Sequence, residues 1–383
     1  MTRLGSKMPF EQAVEEVWLS HRTRVKEGTL RQMTYRHGEA AEAVERAEVE
    51  RLEQEGIKTE ANPKQLVISA DGAFICLTNG EWREVKSLAI GEFEQHWNQK
   101  KGEIEVKTRD ISYFSRSYRI REFERYALAE LARRGIDNAC CLVTVNDGSE
   151  WIQSFVGYHL PQATRILDFS HALGYVAEAG KAVFGEETAD FRGWFQRMAH
   201  QFKHEPPHHT LADLQLLHNQ ATSEEQAAVI DQALFYLTQR LELIDYPHFL
   251  AKGFPIGSGS VESGHKVVVH SRLKQAGMRW AEPHADPMLA LRNLVCNGRW
   301  VEGWNQIVEF HQTQHFQKLR QQAARQRPVG PPVTLASVEV APDSSPLASS
   351  FPAPAQSKQP HRPAPDHPWR TDKWPTREAW KWA

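Results

Sequence analysis

Apolar positions over residues 9–55 recur at helical spacing. Phe10, Val14, Val17 and Trp18 form one stripe, and Leu30, Met33, Ala40, Val44 and Ala47 form a second after a break at Gly28. The pattern predicts two helices and a short turn within a helical segment, residues 1–60. That outline resembles a helix-turn-helix, although most helix pairs bind nothing. From residue 65 the period shortens. "QLVISADGAFICL" and "EWREVKSLAIGEFE" are β-rich runs separated by "TNG", a hairpin signal. "GEIEVKTRDISYF" supplies a third strand, and Ile120, Phe123, Ala127 and Leu131 then mark a helix ending at Gly135. "ACCLVTVND" has the continuous apolar look of a strand covered on both faces, and "ATRILDF" reads as another. The order β-β-β-α-β-α-β predicts an α/β fold, a mixed sheet packed by helices, over residues 61–175.

Helical patterning returns over 171–250, interrupted by the proline-broken "HEPPHHT". This predicts a helical insertion, residues 176–255, between two parts of the sheet domain. The second part, 256–325, opens with a helix expected over 259–278. Twelve of the 21 prolines lie from Pro328 onward among Ser, Ala and Gln, so 326–383 is expected to be a disordered tail.

Composition narrows the class. At 383 residues the chain can bury a sizeable core, and 40% hydrophobic with 25% charged residues describe a soluble globular protein. No run of about 18 apolar residues is present and the N-terminus lacks a secretory pattern, so neither a membrane span nor export is expected. Cys76, Cys140, Cys141 and Cys296 include no CxxC pair, which argues against a disulfide framework or a cysteine zinc site and for a reducing cytoplasm. A net charge of −2 gives no global attraction to nucleic acid; such a partner needs local basic patches.

Three acids stand out by position. Asp71 sits mid-strand in "SADGAF", Asp147 ends "CCLVTVND", and Glu262 starts the late helix inside the Gly/Ser frame "IGSGSVESGHK". A carboxylate at the end of an apolar strand must be paired, protonated or metal-bound. If their strands are neighbours, Asp71 and Asp147 face each other at one sheet edge and Glu262 closes a triangle. Three hard oxygen donors suit two Mg²⁺ or Mn²⁺ ions rather than zinc. Gly72 and Gly148 would let a backbone approach closely. Read alone, each Asp-Gly is a turn dipeptide and the glycines near Glu262 a helix cap; it is the ordered co-occurrence that points to chemistry. Beside Glu262 an acid-free run carries Lys266, Arg272, Lys274 and Arg279, suited to DNA phosphates. "SYFSRSYRIREFERY" adds Arg116, Arg119, Arg121 and Arg125 among aromatics, readable as a second basic track or as the charged face of a helix. Trp280 reads as a core residue or a base-stacking one.

Together, "VISADGAFICLTNGEWREVKSLAIGEF", "VNDGSEWI", "RILDFSHALGYV" and "PIGSGSVESGHKVVVHSRLKQAGMRW" resemble bacterial insertion-sequence transposases of the DDE type, in particular the Kra and Lre-like elements related to Mutator-like enzymes. The resemblance covers roughly residues 10–310. It implies an RNase H-like core with Asp71, Asp147 and Glu262 as the metal-binding triad. It further implies DNA cleavage and strand transfer, action as a homo-oligomer on DNA, and a nucleoid-associated place in the cytoplasm. The family's acid-x-x-His element matches Asp168 and His171, an auxiliary pair expected to help position DNA; a core-facing, structural His171 is the other reading. Longer members carry a cysteine-bearing zinc region ahead of the helix pair, without a counterpart here. The alternative expectation is therefore a truncated, non-catalytic remnant that binds only DNA or the full-length enzyme.

Two other chemistries fail on the sequence. "HEPPH" at 204–208 matches H-E-x-x-H, but Pro206 and Pro207 break the single helix a zinc peptidase needs. The Gly/Ser loop lacks the G-K-[ST] of a nucleotide-binding loop.

Overall fold

The computed structural model describes residues 1–57, 59–99 and 102–326. The expected tail lies outside the described residues, apart from Gln326 at the end of the last helix.

Five strands form one mixed sheet: β1 (Gln65–Cys76), β2 (Trp82–Asn98), β3 (Glu103–Arg116), β4 (Cys141–Asn146) and β5 (Thr164–Leu167), in the order β3-β2-β1-β4-β5. The first three are an antiparallel meander, and β4 and β5 run parallel to β1. The α/β reading is thus correct, and β1 is the central strand. The β1–β2 turn closes through Leu77 N to Glu81 O at 2.8 Å, with Gly80 at φ 88°, a conformation only glycine adopts freely.

Strand alternation divides the packing. Even-numbered Leu66, Ile68 and Ala70 of β1 face α4 (Ile120–Arg133) and α5 (Glu150–His159), in a core with Phe123, Ala127, Ile152 and Phe155. Odd-numbered positions face the other way and meet two separate cores. Val67, with Val143 and Val145 of β4, packs under a helical layer of α6 (Phe169–Phe184), α7 (Ala189–His204), α8 (Pro207–His218), α9 (Glu224–Thr238) and α10 (Tyr246–Ala251). Ala73 and Ile75 instead pack with Phe10, Val17, Val268, Leu273, Trp280 and Met288. Ser69 and Asp71 lie between these cores, so the sheet carries a polar seam on this face.

The second core is built by α2 (Phe10–His21), α3 (Glu27–Glu55), a broken helix after residue 258, and α13 (Glu282–Cys296). A short α1 (Thr2–Lys7) precedes them and α14 (Trp300–Gln326) follows. At Gly38 of α3 a Cβ would come within 2.5 Å of the Pro287 carbonyl oxygen, so that glycine permits the close approach of α3 to α13.

Several boundaries differ from expectation. The α2–α3 break is at Arg22, which takes a left-handed φ of 52°, and Gly28 is already inside α3. A single helix, α6, runs from Phe169 through the expected 175/176 boundary. The helix expected over 259–278 is α11 (Gly259–Gly264), a π-helical turn over His265–His270 and a last turn, α12 (Ser271–Leu273). Three consecutive β-branched residues, Val267–Val269, lie within the widened turn.

Candidate active site

The β1–β4 ladder ends at the pair Ile68–Thr144. Three residues beyond that pair stand Asp71, on the seam face of β1, and Asp147, directly after the end of β4. Asn146, buried, continues the link between the strands where the backbone ladder stops: its Oδ1 accepts from Ala70 N at 2.7 Å, and its carbonyl accepts from Asp168 N at 2.8 Å. The two strands are neighbours, with Asp71 within β1 and Asp147 just past the C-terminal end of β4.

Asp71 is partly buried. Its Oδ1 accepts from the Gly72 N–H at 2.7 Å, and its Oδ2 lies 3.4 Å from Nδ1 of His265. Its carboxyl is pushed from the ordinary 3.8 up to about 6, chiefly by burial, then by the nearby carboxylates of Asp147, Glu262 and Glu84, against the opposing Gly72 hydrogen bond. Asp147 Oδ1 accepts from Ser149 N at 3.0 Å, closing the turn into α5. Glu262 is exposed on α11, which packs over β1, β2 and β3. Gly264 permits that packing: a Cβ there would lie 2.8 Å from the Tyr113 ring. No ion pair with Lys or Arg engages Asp71, Asp147 or Glu262 among the described residues. Equally, among the described residues no three His, Cys, Asp or Glu side chains are grouped closely enough to hold a metal ion. The charges of Asp147 and Glu262 reach Asp71 across the seam, secondarily to its burial.

The auxiliary pair divides in two. Asp168, buried, caps α6: Oδ1 accepts from the His171 backbone N–H at 2.8 Å, and Oδ2 accepts from Ser258 N at 2.6 Å. With Phe169 N donating to Ile256 O at 2.9 Å, this fastens the Gly/Ser segment before Glu262 to the end of β5. The His171 ring is exposed beside Tyr175 and Tyr236, not core-facing.

Of the expected DNA contacts, Lys266, Lys274 and Arg279 are exposed, and Lys274 Nζ lies 6.0 Å from the centroid of the exposed Trp82 ring. Arg272 is a correction. It is 1% exposed, donates from Nε to Gly5 O at 2.9 Å, and lies 4.7 and 4.9 Å from the Phe10 and Trp280 ring centroids. Burial pushes its pKa down to about 10. It holds α1 and α2 to the broken helix and cannot reach a phosphate. Two of the four arginines of the second basic track are likewise committed. Arg116 is fully buried against Glu45, whose carboxyl burial raises to about 7, and Arg125 pairs with Glu53 at 2.8 Å. Trp280 is core, its Nε1 donating to Leu273 O at 3.1 Å. The histidines of "HEPPH" sit on two helices, α7 ending at His204 and α8 beginning at Pro207.

Sequence reading missed Asn146 and His265. His265 sits one helical turn beyond Glu262, a spacing that puts both near one face and was the available signal. Its pKa is lowered, first by burial, against a hydrogen bond to Asp71 and the charge of Glu262. Its Nε2 is buried without a partner. Gly72 does not admit a backbone; the space its missing Cβ leaves is taken by Glu84 Oε1, 2.3 Å from where a Cβ would stand.

The chain matches no protein-family model and no curated protein sequence. Among the described residues no helix is long and apolar enough to cross a membrane.

Proposed function

We propose that the chain is a DDE-type transposase with an RNase H-like core, cutting and joining DNA by phosphodiester chemistry at Asp71, Asp147 and Glu262. The observation that carries this reading is placement: Asp71 on the central strand, Asp147 just past the neighbouring β4 and Glu262 on α11 packed over β1 lie far apart in the chain and close enough in space for the charges of the other two to act on Asp71. The strand order, with a three-stranded meander followed by two parallel strands, supports the same reading.

The donor chemistry suits Mg²⁺ or Mn²⁺: three hard carboxylates, none neutralised by Lys or Arg among the described residues, one of them raised chiefly by burial and further by its acidic neighbours. Such a pair of ions, when bound, would activate an attacking oxygen and stabilise the departing one. The chain's own residues supply the rest. Asp168 fixes the segment that delivers Glu262, and His265 places its Nδ1 3.4 Å from Asp71 Oδ2. Lys266, Lys274 and Arg279 hold phosphates through salt-sensitive attraction. In the reaction, water opens the phosphodiester at the element's end and leaves a 3′-OH, which then attacks a target phosphodiester with loss of the target's own 3′ oxygen.

A second reading, a DNA-binding remnant without chemistry, draws support from the open spacing of the acids. Nicking of supercoiled plasmid in Mg²⁺ or Mn²⁺ separates them. The enzyme reading expects nicking that disappears in Asp71→Asn, Asp147→Asn and Glu262→Gln while DNA affinity persists. DNA affinity without any nicking leaves the remnant reading.

A further inference from the structure

The end of α9 places an aromatic and cationic stack against Asp147. Tyr236 donates from its hydroxyl to the Asp147 carbonyl at 2.9 Å. Its ring stacks on Tyr175 of α6, with centroids 3.9 Å apart and planes 11° from parallel. The Arg240 guanidinium also lies 3.9 Å from the Tyr236 centroid. Two groups that close to one ring must occupy opposite faces, so Tyr175, Tyr236 and Arg240 form three layers. Gly148 makes room for the third: at φ 82°, its absent Cβ would stand 3.0 Å from the Tyr236 hydroxyl and 3.3 Å from Arg240 Nε.

What Arg240 lacks is an acid. Other arginines of the fold have theirs: Arg116 with Glu45, Arg125 with Glu53, Arg299 with Glu130, Arg134 with Asp110. Arg240 enters no ion pair among the described residues, and its guanidinium donates from Nη1 to the Tyr236 carbonyl at 3.1 Å. A guanidinium locked flat by stacking, half-buried, and one residue from Asp147 presents its remaining N–H fork ready for an anion.

We propose that Arg240 binds the DNA strand being cut, gripping a phosphate adjacent to the one that reacts at Asp147. This rests on the transposase reading and adds to it a substrate contact supplied by the helical insertion. Tyr236 and Tyr175 are positioning residues that hold the guanidinium in place.

The test uses the whole chain, a short fluorescein-labelled DNA duplex without metal for affinity, and supercoiled plasmid with Mn²⁺ for nicking. Arg240→Gln should weaken duplex binding about five- to tenfold near 0.1 M salt and make the dependence of log affinity on log salt shallower by about one. Arg240→Lys should keep the slope yet nick several-fold more slowly, because a lysine preserves charge but not the stacked fork. If Arg240→Gln does not fold, the lysine variant decides alone, and wild-type nicking by it overturns the proposal. Wild-type affinity and slope in folded Arg240→Gln, with the parent nicking and Asp147→Asn inactive, would show that Arg240 merely pins α9 and would leave the transposase reading standing. A parent chain that neither binds nor nicks DNA removes both.

Discussion

Asp71→Asn should make the protein more stable at neutral pH while removing its proposed chemistry. The ordinary carboxyl value is 3.8 and the folded one about 6, a difference near two units. At roughly 1.36 kcal/mol per unit this corresponds to about 3 kcal/mol of strain in the ionised folded state. The side chain is 38% exposed, so solvent screening reduces the figure to about 1–2 kcal/mol. A carboxyl raised by folding takes up its proton in the native chain before the unfolded chain does. Stability therefore falls as pH rises from 3.8 toward 6 and stays at the lower level above it. Asparagine removes the charge, keeps an oxygen for the Gly72 N–H and nearly the same shape. Urea unfolding, read from midpoints at constant slope, should show the variant ahead by about 1–2 kcal/mol at pH 7.5 and level with the parent near pH 4. Millimolar Mg²⁺ should narrow the gap at pH 7.5, by stabilising the parent and not the variant. Most substitutions destabilise, so the direction itself discriminates. A variant less stable than the parent at neutral pH, or a gap independent of pH, would mean that folding does not raise the Asp71 carboxyl.

The remaining expectations concern the supports around that site. Arg272→Ala should lose about 2–4 kcal/mol through its emptied place between Phe10 and Trp280 and leave the salt dependence of DNA binding unchanged, whereas Lys274→Glu should flatten that dependence without unfolding the chain. Asp168→Ala should cost about 1–2 kcal/mol for the α6 cap alone and slow nicking by freeing the segment before Glu262; denaturant midpoints and plasmid nicking report both. Gly264→Ala should cost about 1–3 kcal/mol, because the new methyl meets the Tyr113 ring, and should lower nicking more than DNA affinity. Burial pushes His159 down to about 4, so below pH 6.5 the unfolded chain binds a proton that the folded one refuses. Its contribution to stability should drop by about 2 kcal/mol between pH 7 and pH 5, a slope absent in His159→Gln measured by urea unfolding.

The sheet was legible because alternation is a short-range signal. Val67, Ile68, Ala70 and Val143 identify their strands without knowledge of their partners. The order Asp71, Asp147, Glu262 could also be read, since Asp71 and Asp147 each precede a glycine and Glu262 stands in a Gly/Ser frame. What could not be read was commitment. Arg272 and Lys274 look alike in "SRLKQAG", but one points into the gap between α1, Phe10 and Trp280 and the other into water. Helical period alone did not settle which, because the π-helical turn over His265–His270 resets the phase just before them. Arg116 similarly stands in a basic, aromatic-rich run, and only the packing of α3 reveals Glu45 as its partner. Contacts between residues distant in sequence, such as Arg272 with Gly5 or Tyr236 with Asp147, leave no periodic trace.

The seam between the two cores explains why these corrections cluster around Glu262. A continuous apolar face would have buried Asp71 beyond the reach of solvent, at a desolvation cost no neighbouring hydrogen bond could offset. Splitting that face into Val67 on one side and Ala73 and Ile75 on the other leaves Ser69 and Asp71 in a polar strip, closed from above by α11. The broken helix needs anchors on both sides to stay there. Asp168 supplies one before Glu262, and Arg272 supplies the other after it. Arg272 is thus buried, unlike its exposed neighbour Lys274, because the helix carrying Glu262 requires a fastening to the N-terminal segment. Combining Asp168→Ala with Arg272→Ala should therefore reduce nicking by more than the product of the two single effects, with each variant's folded fraction measured by urea unfolding. Strictly multiplicative losses would show that the two contacts secure independent parts of the fold.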